Sequence, residues 1–270
     1  MSRRTGQYDP FCDVIIEDVR TESGIPVGKA VTINNMGQLE AVGTVSDGYS
    51  LVSNKDAHEG FISLLNDSGF DVHVAEDRIT SNGRQFRAVY SIESDQLNRY
   101  IIPGARMIGD VINIEAIGIN SYDGTKKRSL SISARVLSCL NGMCITKMLG
   151  SIEIKHYGML GDLDLTKQMN DERNAFRDRM ARVNGIMTHQ VLPSIDRMGQ
   201  VNTDAMFFRN LINATNIPNN LLNDAILAME GVTAWDTYNG FTAVLSRNNS
   251  IRADDMNRKV SEFYFDAFSG

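Results

Sequence analysis

The stretch Asp110 to Asn141, DVINIEAIGINSYDGTKKRSLSISARVLSCLN, decides the fold. Asp123-Gly124 is a turn signal, because glycine accepts a positive φ without steric cost. The side-chain pattern then sets the register. A two-residue turn would place Ile114 opposite Ser133 and Glu115 opposite Ile132, pairing unlike residues. A longer loop, with Gly124 left-handed at a bulge and Ser121 paired with Thr125, sets Ala116 against Leu130, Ile114 against Ile132 and Ile112 against Ala134. The other face then holds Asn113, Glu115, Ser129, Ser131, Ser133 and Arg135. One face is expected in the core and the other in water. Tyr122 and Lys126 are expected together at the sheet's end, with Lys127 and Arg128 beside them.

Strands are also expected on the N-terminal side. Over residues 11–50 apolar and polar residues alternate, and Gly24, Gly28, Gly37, Gly43 and Gly48 punctuate the run. Ser53 or Asn54 is positioned to cap a helix over 55–67, whose apolar stripe is Ala57, Phe61, Leu64 and Leu65 and which Gly69 ends. A strand over 70–77, a turn over 78–83 and a strand over 84–93 follow. In the last, Phe86, Ala88, Tyr90 and Ile92 share one face, and Arg87, Val89 and Ser91 the other. A further strand is expected over 143–155.

From Leu163 the period becomes helical. Leu165, Met169, Phe176, Met180, Val183 and Met187 trace one long helix over 163–192, with a break expected at Gly185 and an end at Pro193. Helices over 203–216, 219–230, 233–246 and 252–268 complete the chain. The methionines near 169–198 read as filler for irregular core gaps. Trp235 and Asn239 share a helix face and read as a core anchor with a buried amide. Strands first and helices later imply an α+β fold: a helix and antiparallel meander, then a mainly helical C-terminal half. The expected division is a β-rich segment over 1–50, an α+β core over 51–160 and a helical region over 161–270.

Composition bounds the function. With 42% hydrophobic and 22% charged residues among 270, the chain is an ordinary globular one. No apolar run approaches the roughly 20 residues of a membrane span. Met1-Ser2-Arg3-Arg4 has no apolar stretch behind it, so no signal peptide is expected. Cys12, Cys139 and Cys144 have non-metal spacings and read as free thiols in a reducing cytoplasm. The net charge of −6 leaves room for a local basic groove only.

Enzyme signatures do not emerge. Gly124-Thr125-Lys126-Lys127 lacks the first glycine and the helix of a phosphate loop. His58, His73, His156 and His189 are scattered, and Asp162 and Asp164 read as helix caps rather than metal ligands. No catalytic residue, metal or cofactor is therefore assigned. What remains is cationic: Arg84, Arg87, Lys126, Lys127, Arg128 and Arg135 lie on or beside the expected sheet, with Tyr122 at the turn. Cations neutralise phosphates and rings stack on bases, so this set suits single-stranded nucleic acid. The plainer alternative is a solvated tip that protects a strand edge.

The run Ile119-Asn120-Ser121-Tyr122-Asp123-Gly124-Thr125 resembles the N-S-H-D-G-S hairpin of a phage- and plasmid-encoded family, domain of unknown function 932. Ser133 to Asn141 resembles its P-V-R-V-V-C-x-N segment, Thr233 to Thr242 its T-x-W-x-x-x-N-A-V-T helix, and Val52-Ser53-Asn54 its early V-S-N. The order and spacing agree over roughly residues 45–245. Tyr122 stands where the family has His, an extra residue separates Arg135 from Cys139, and no Asp-His follows Leu245. The resemblance implies a phage or mobile-element origin and the host cytoplasm. A looser, fold-level analogy connects the helix, meander and long helix to Redβ-type single-strand annealing proteins.

These readings lead to one expectation: an oligomeric, non-enzymatic protein that binds or anneals single-stranded DNA in replication or recombination. Six engaged cations would give a log–log salt slope of roughly −4. The alternatives are a structural or host-takeover factor that binds a host or phage protein through its helices, and, last, a metal-dependent nuclease using Asp110, Glu115 and Asp123.

Overall fold

A computed structural model describes residues 8–46, 48–93, 100–101, 111–136, 141–143, 151–154, 162–247 and 251–269. The fold is α+β, with antiparallel sheets in the N-terminal half and mostly helices after them.

A three-stranded antiparallel sheet is built from β1 (Asp13–Arg20), β2 (Pro26–Asn35) and β3 (Gln38–Val45). Its register sets Ile16 against Val31 and Val14 against Ile33, so the period-2 pattern puts these side chains on one face. The helix α1 (Asn54–Asn66) follows. Ser53 is its N-cap and accepts the backbone N–H of Asp56, while Ala57, Phe61, Leu64 and Leu65 form its buried stripe.

The second sheet has eight strands. They are β4 (Asp71–His73), β5 (Ile79–Ser81), β6 (Gln85–Glu93), β7 (Tyr100–Ile101), β8 (Val111–Ser121), β9 (Arg128–Val136), β10 (Asn141–Met143) and β11 (Ser151–Ile154). The path runs β10-β9-β8-β6-β4, with β11 beside β9, β5 beside β6 and β7 beside β8.

Several details depart from the sequence expectations. The strand expected over 70–77 shortens to β4, and the turn expected over 78–83 contains β5. Both faces of β6 are buried over Phe86 to Tyr90, because this strand is interior to the sheet and covered on either side. The hairpin's apolar face, Ile112, Ile114, Ala116, Leu130 and Ile132, is buried as expected. Its second face is not simply wet: Glu115 and Ser133 are buried while Asn113 is exposed. Strand β8 ends at Ser121 and β9 resumes at Arg128, so the loop spans 122–127. Gly124 is left-handed at φ 70°, as the Asp-Gly pair requires.

The helical half comprises α2 (Asp162–Ile186), a π turn (Met187–Val191), α3 (Leu192–Gln200), α4 (Ala205–Thr215), α5 (Asn219–Leu227), α6 (Ala234–Ser246) and α7 (Ile251–Phe268). Winding continues through Gly185 and past Pro193, where a break and a stop were expected. The irregularity is the π turn, and Pro193 falls in the first turn of α3, where the missing N–H and the ring are tolerated.

The chain divides into two compact units, each discontinuous in sequence. The first is Met1–Tyr90, Ile117–Leu130 and Ile152–Phe176. One of its cores joins Val31, Ile33 and Val42 of the small sheet, and Cys12 just before it, to Tyr122. Elsewhere in this unit Gly118 is needed, since a Cβ would lie 2.6 Å from the Phe61 ring and 2.9 Å from the Tyr90 ring.

The second unit is Ser91–Ala116, Ser131–Ser151 and Arg177–Gly270. Met180, Val183, Met187, Val191, Ile195 and Met198 are buried along its first helices, so those methionines are core filler. In α6 the core anchors are Tyr238 and Phe241, fully buried, while Trp235 and Asn239 are only half-buried. Thr233 and Asp236 form a capping box at the start of α6. The hydroxyls of Thr237 and Tyr264 are 2.9 Å apart, and those of Tyr238 and Ser261 are 2.8 Å apart, which satisfies polar groups inside an aromatic cluster. Of the strand expected over 143–155, β11 occupies Ser151–Ile154, while residues 144–150 and 155, with Cys139 and Cys144, lie outside the described residues.

Candidate nucleic-acid interface

The basic loop 122–127 is held from below by side chains that face inward. Tyr122 is 1% exposed, and its ring joins the core of the first unit. Its hydroxyl accepts the backbone N–H of Asn54 at 2.8 Å, so it satisfies an orphan donor in the first turn of α1. Burial raises the pKa of this phenol far above the ordinary value, and the tyrosine stays protonated.

Asn54 extends the network. Its side-chain amide donates to the carbonyl of Pro10 at 2.9 Å, and its Oδ1 accepts from the amide of fully buried Asn120 at 2.9 Å. Asn120 also donates to the Val52 carbonyl at 3.1 Å. Thus Val52-Ser53-Asn54 and Ile119 to Thr125, two of the segments that carry the family resemblance, meet in one buried polar cluster.

The loop closes on itself above this cluster. Ser121 Oγ donates to the carbonyl of Lys126 at 2.8 Å and accepts its N–H at 3.2 Å. Asp123 Oδ1 accepts the N–H of Thr125 at 3.0 Å and the Thr125 hydroxyl at 2.5 Å, so this carboxylate is occupied within the loop. At Gly43 of β3, a Cβ would lie 2.8 Å from Asp123 Cα, so glycine permits the small sheet to approach the loop.

A second turn is locked against the first. Asn82 Oδ1 accepts the N–H groups of Arg84 and Gln85, and Gly83 is left-handed at φ 82°. The N–H of Tyr122 donates to the carbonyl of Arg84 at 2.7 Å, and Gln85 Nε2 donates to Thr125 Oγ1 at 2.8 Å. These bonds bring exposed Arg84 to the same end as exposed Lys127 and half-buried Lys126, with half-buried Arg128 at the start of β9. The ring packed on the Arg84 turn is that of Tyr8, which a Cβ at Gly83 would meet at 2.8 Å. The Tyr8 hydroxyl donates to Glu40 at 2.9 Å. That bond raises its pKa, and the positive charge of Arg84 opposes the shift.

Two expected contacts are corrected by this geometry. Tyr122 does not stack on a base: its ring is in the core and its hydroxyl is committed to α1. Arg87 is 7% exposed on the interior strand β6, so it does not present a cation to phosphate. Arg135 lies on β9 opposite Gly142, and its side chain is outside the described residues, as is Asp110. Glu115 is buried, and Asp123 Oδ1 accepts two hydrogen bonds within its own loop. Among the described residues no group of His, Cys, Asp and Glu is arranged to hold a metal ion, and no helix is long and apolar enough to cross a membrane.

An α+β protein with a buried polar cluster beneath a basic hairpin loop is the class these observations define. The chain belongs to the family described as Domain of unknown function (DUF932), whose model matches residues 41–263. No curated protein and no solved structure matches it.

Proposed function

We propose that this chain is a phage or mobile-element protein that binds single-stranded nucleic acid in the host cytoplasm, as an oligomer, through the phosphate backbone. The observation that supports the reading is the joining of Arg84, Lys126 and Lys127 at one sheet end by the Tyr122–Arg84 and Gln85–Thr125 hydrogen bonds. Two turns fixed to each other present cations without first having to order them, which lowers the entropic cost of binding. With Tyr122 turned inward, the contact is electrostatic and largely indifferent to base identity.

A salt titration with a labelled oligothymidylate, read by fluorescence anisotropy, tests this. If Arg84, Lys126, Lys127 and Arg128 engage, the log–log slope is roughly −3 for a single strand. A flat salt dependence, or unchanged affinity when Arg84, Lys126 and Lys127 all become Ala, removes the proposal. Size-exclusion chromatography with and without the oligonucleotide tests the oligomer. The alternative reading, a structural or host-takeover factor that works by protein contact, draws on an apolar patch in the second unit.

A further inference from the structure

The second unit carries a patch that its own core does not use. Residues 201–206 and 226–235 are tied together: Ala234 N–H donates to the Val201 carbonyl at 2.7 Å, Thr203 N–H donates to the Val232 carbonyl at 2.9 Å, and Asn202 and Thr233 form an antiparallel bridge. On these two segments Val201, Met206, Leu227 and Val232 are exposed, Leu227 to 85% and Val232 to 63%. Trp235, half-buried, lies one residue beyond Ala234, with its ring centroid 5.6 Å from that of Tyr238. A half-buried tryptophan packed on a buried tyrosine, on a segment that also exposes aliphatic side chains, has the character of an interface anchor.

The charge along this stretch of sequence is one-sided. Between Met198 and Ser246 the acidic residues are Asp204, Asp224, Glu230 and Asp236, and the single cation is Arg209. Asp204, Asp224 and Glu230 are exposed. Exposed carboxylates on and beside these two segments repel anionic lipid and nucleic acid and attract a cationic partner. We infer that this patch is a docking site for a cationic amphipathic helix of a partner protein, whose apolar side covers Val201, Leu227, Val232 and Trp235 while its lysines or arginines meet Asp224 and Glu230. The inference does not depend on the hairpin-loop reading, since the two use residues of different units and opposite charge.

The test uses the full chain and a fluorescein-labelled amphipathic helix made only of leucine and lysine, followed by anisotropy. Binding is expected to weaken roughly ten-fold or more in Leu227→Ser/Val232→Ser and in Asp224→Lys/Glu230→Lys, and to stay unchanged in Arg84→Ala/Lys126→Ala/Lys127→Ala. A leucine–glutamate helix is expected not to bind. Circular dichroism and a melting curve confirm that each variant is folded, which surface positions of this exposure allow. Absence of peptide binding, or binding that both double variants retain, overturns the inference. So does a concentration-dependent dimer, seen by sedimentation, that Leu227→Ser/Val232→Ser abolishes, because a second copy would then be the occupant.

Discussion

The hydroxyl of Tyr122 accepts the N–H of Asn54 at 2.8 Å, and this one bond joins the basic loop to the first turn of α1. Replacing Tyr122 by Phe leaves the ring in place and orphans a buried N–H. The expected cost is about 1–3 kcal/mol of stability, measured by urea unfolding. Oligonucleotide affinity under native conditions is expected to be unchanged. A loss of affinity with unchanged stability would return Tyr122 to the role of a stacking residue.

Arg87 and Lys127 are both cationic and differ in burial, so their variants separate two effects. Lys127→Ala is expected to keep wild-type stability and to reduce the salt slope by about 0.7. Arg87→Ala is expected to lose about 1–3 kcal/mol, because a buried side chain of this size leaves a polar and steric gap, and to keep the slope. Anisotropy titrations and urea melts on the same two proteins decide it. The reverse pattern would mean that Arg87 reaches solvent and Lys127 does not.

His58 places Nδ1 2.9 Å from the Tyr90 hydroxyl, stacks on that ring and is flanked by Phe11 and Phe86. Burial lowers its pKa from the ordinary 6.5, opposed by the nearby Glu59. The unfolded chain then binds a proton that the folded one resists, so stability is lost as pH falls below about 6.5. Urea midpoints from pH 7 to pH 5 are expected to drop more steeply for the wild type than for His58→Gln. Equal slopes would show that His58 is free to protonate in the fold.

Gly118 is packed beneath two rings. Gly118→Ala would put a methyl group 2.6 Å from Phe61 and 2.9 Å from Tyr90, both buried rings. Overpacking of this kind costs about 1–3 kcal/mol, visible as a lowered melting temperature. A neutral or stabilising result would mean that the rings move aside.

Local chemistry was legible in the sequence where the partners are close along the chain. Asp123-Gly124 made a left-handed turn, Ser53 capped α1, and the helical period after Leu163 held through about three turns of buried Phe176, Met180, Val183 and Met187. The fate of Tyr122 was not legible, because its partner Asn54 lies 68 residues away. Strand parity placed Arg87 opposite Phe86 but carried no information on whether that second face is covered. The apolar patch had a readable signal in the near absence of lysine and arginine between Met198 and Ser246, which is a property of a long window and not of any motif.

The π turn at Met187–Val191 leaves the N–H of Leu192 bonded to the carbonyl of Met187, one residue further back than an α-helix would reach. In an uninterrupted α-helix the ring of Pro193 would press on the carbonyl of His189. The additional residue and the proline are therefore a matched pair. Deleting one residue from the π turn would shift every side chain before it by about 100° relative to those after it, carrying Met187 and Met180 out of line with Ile195 and Met198. A change of length at this point is therefore expected to require a change at the proline as well.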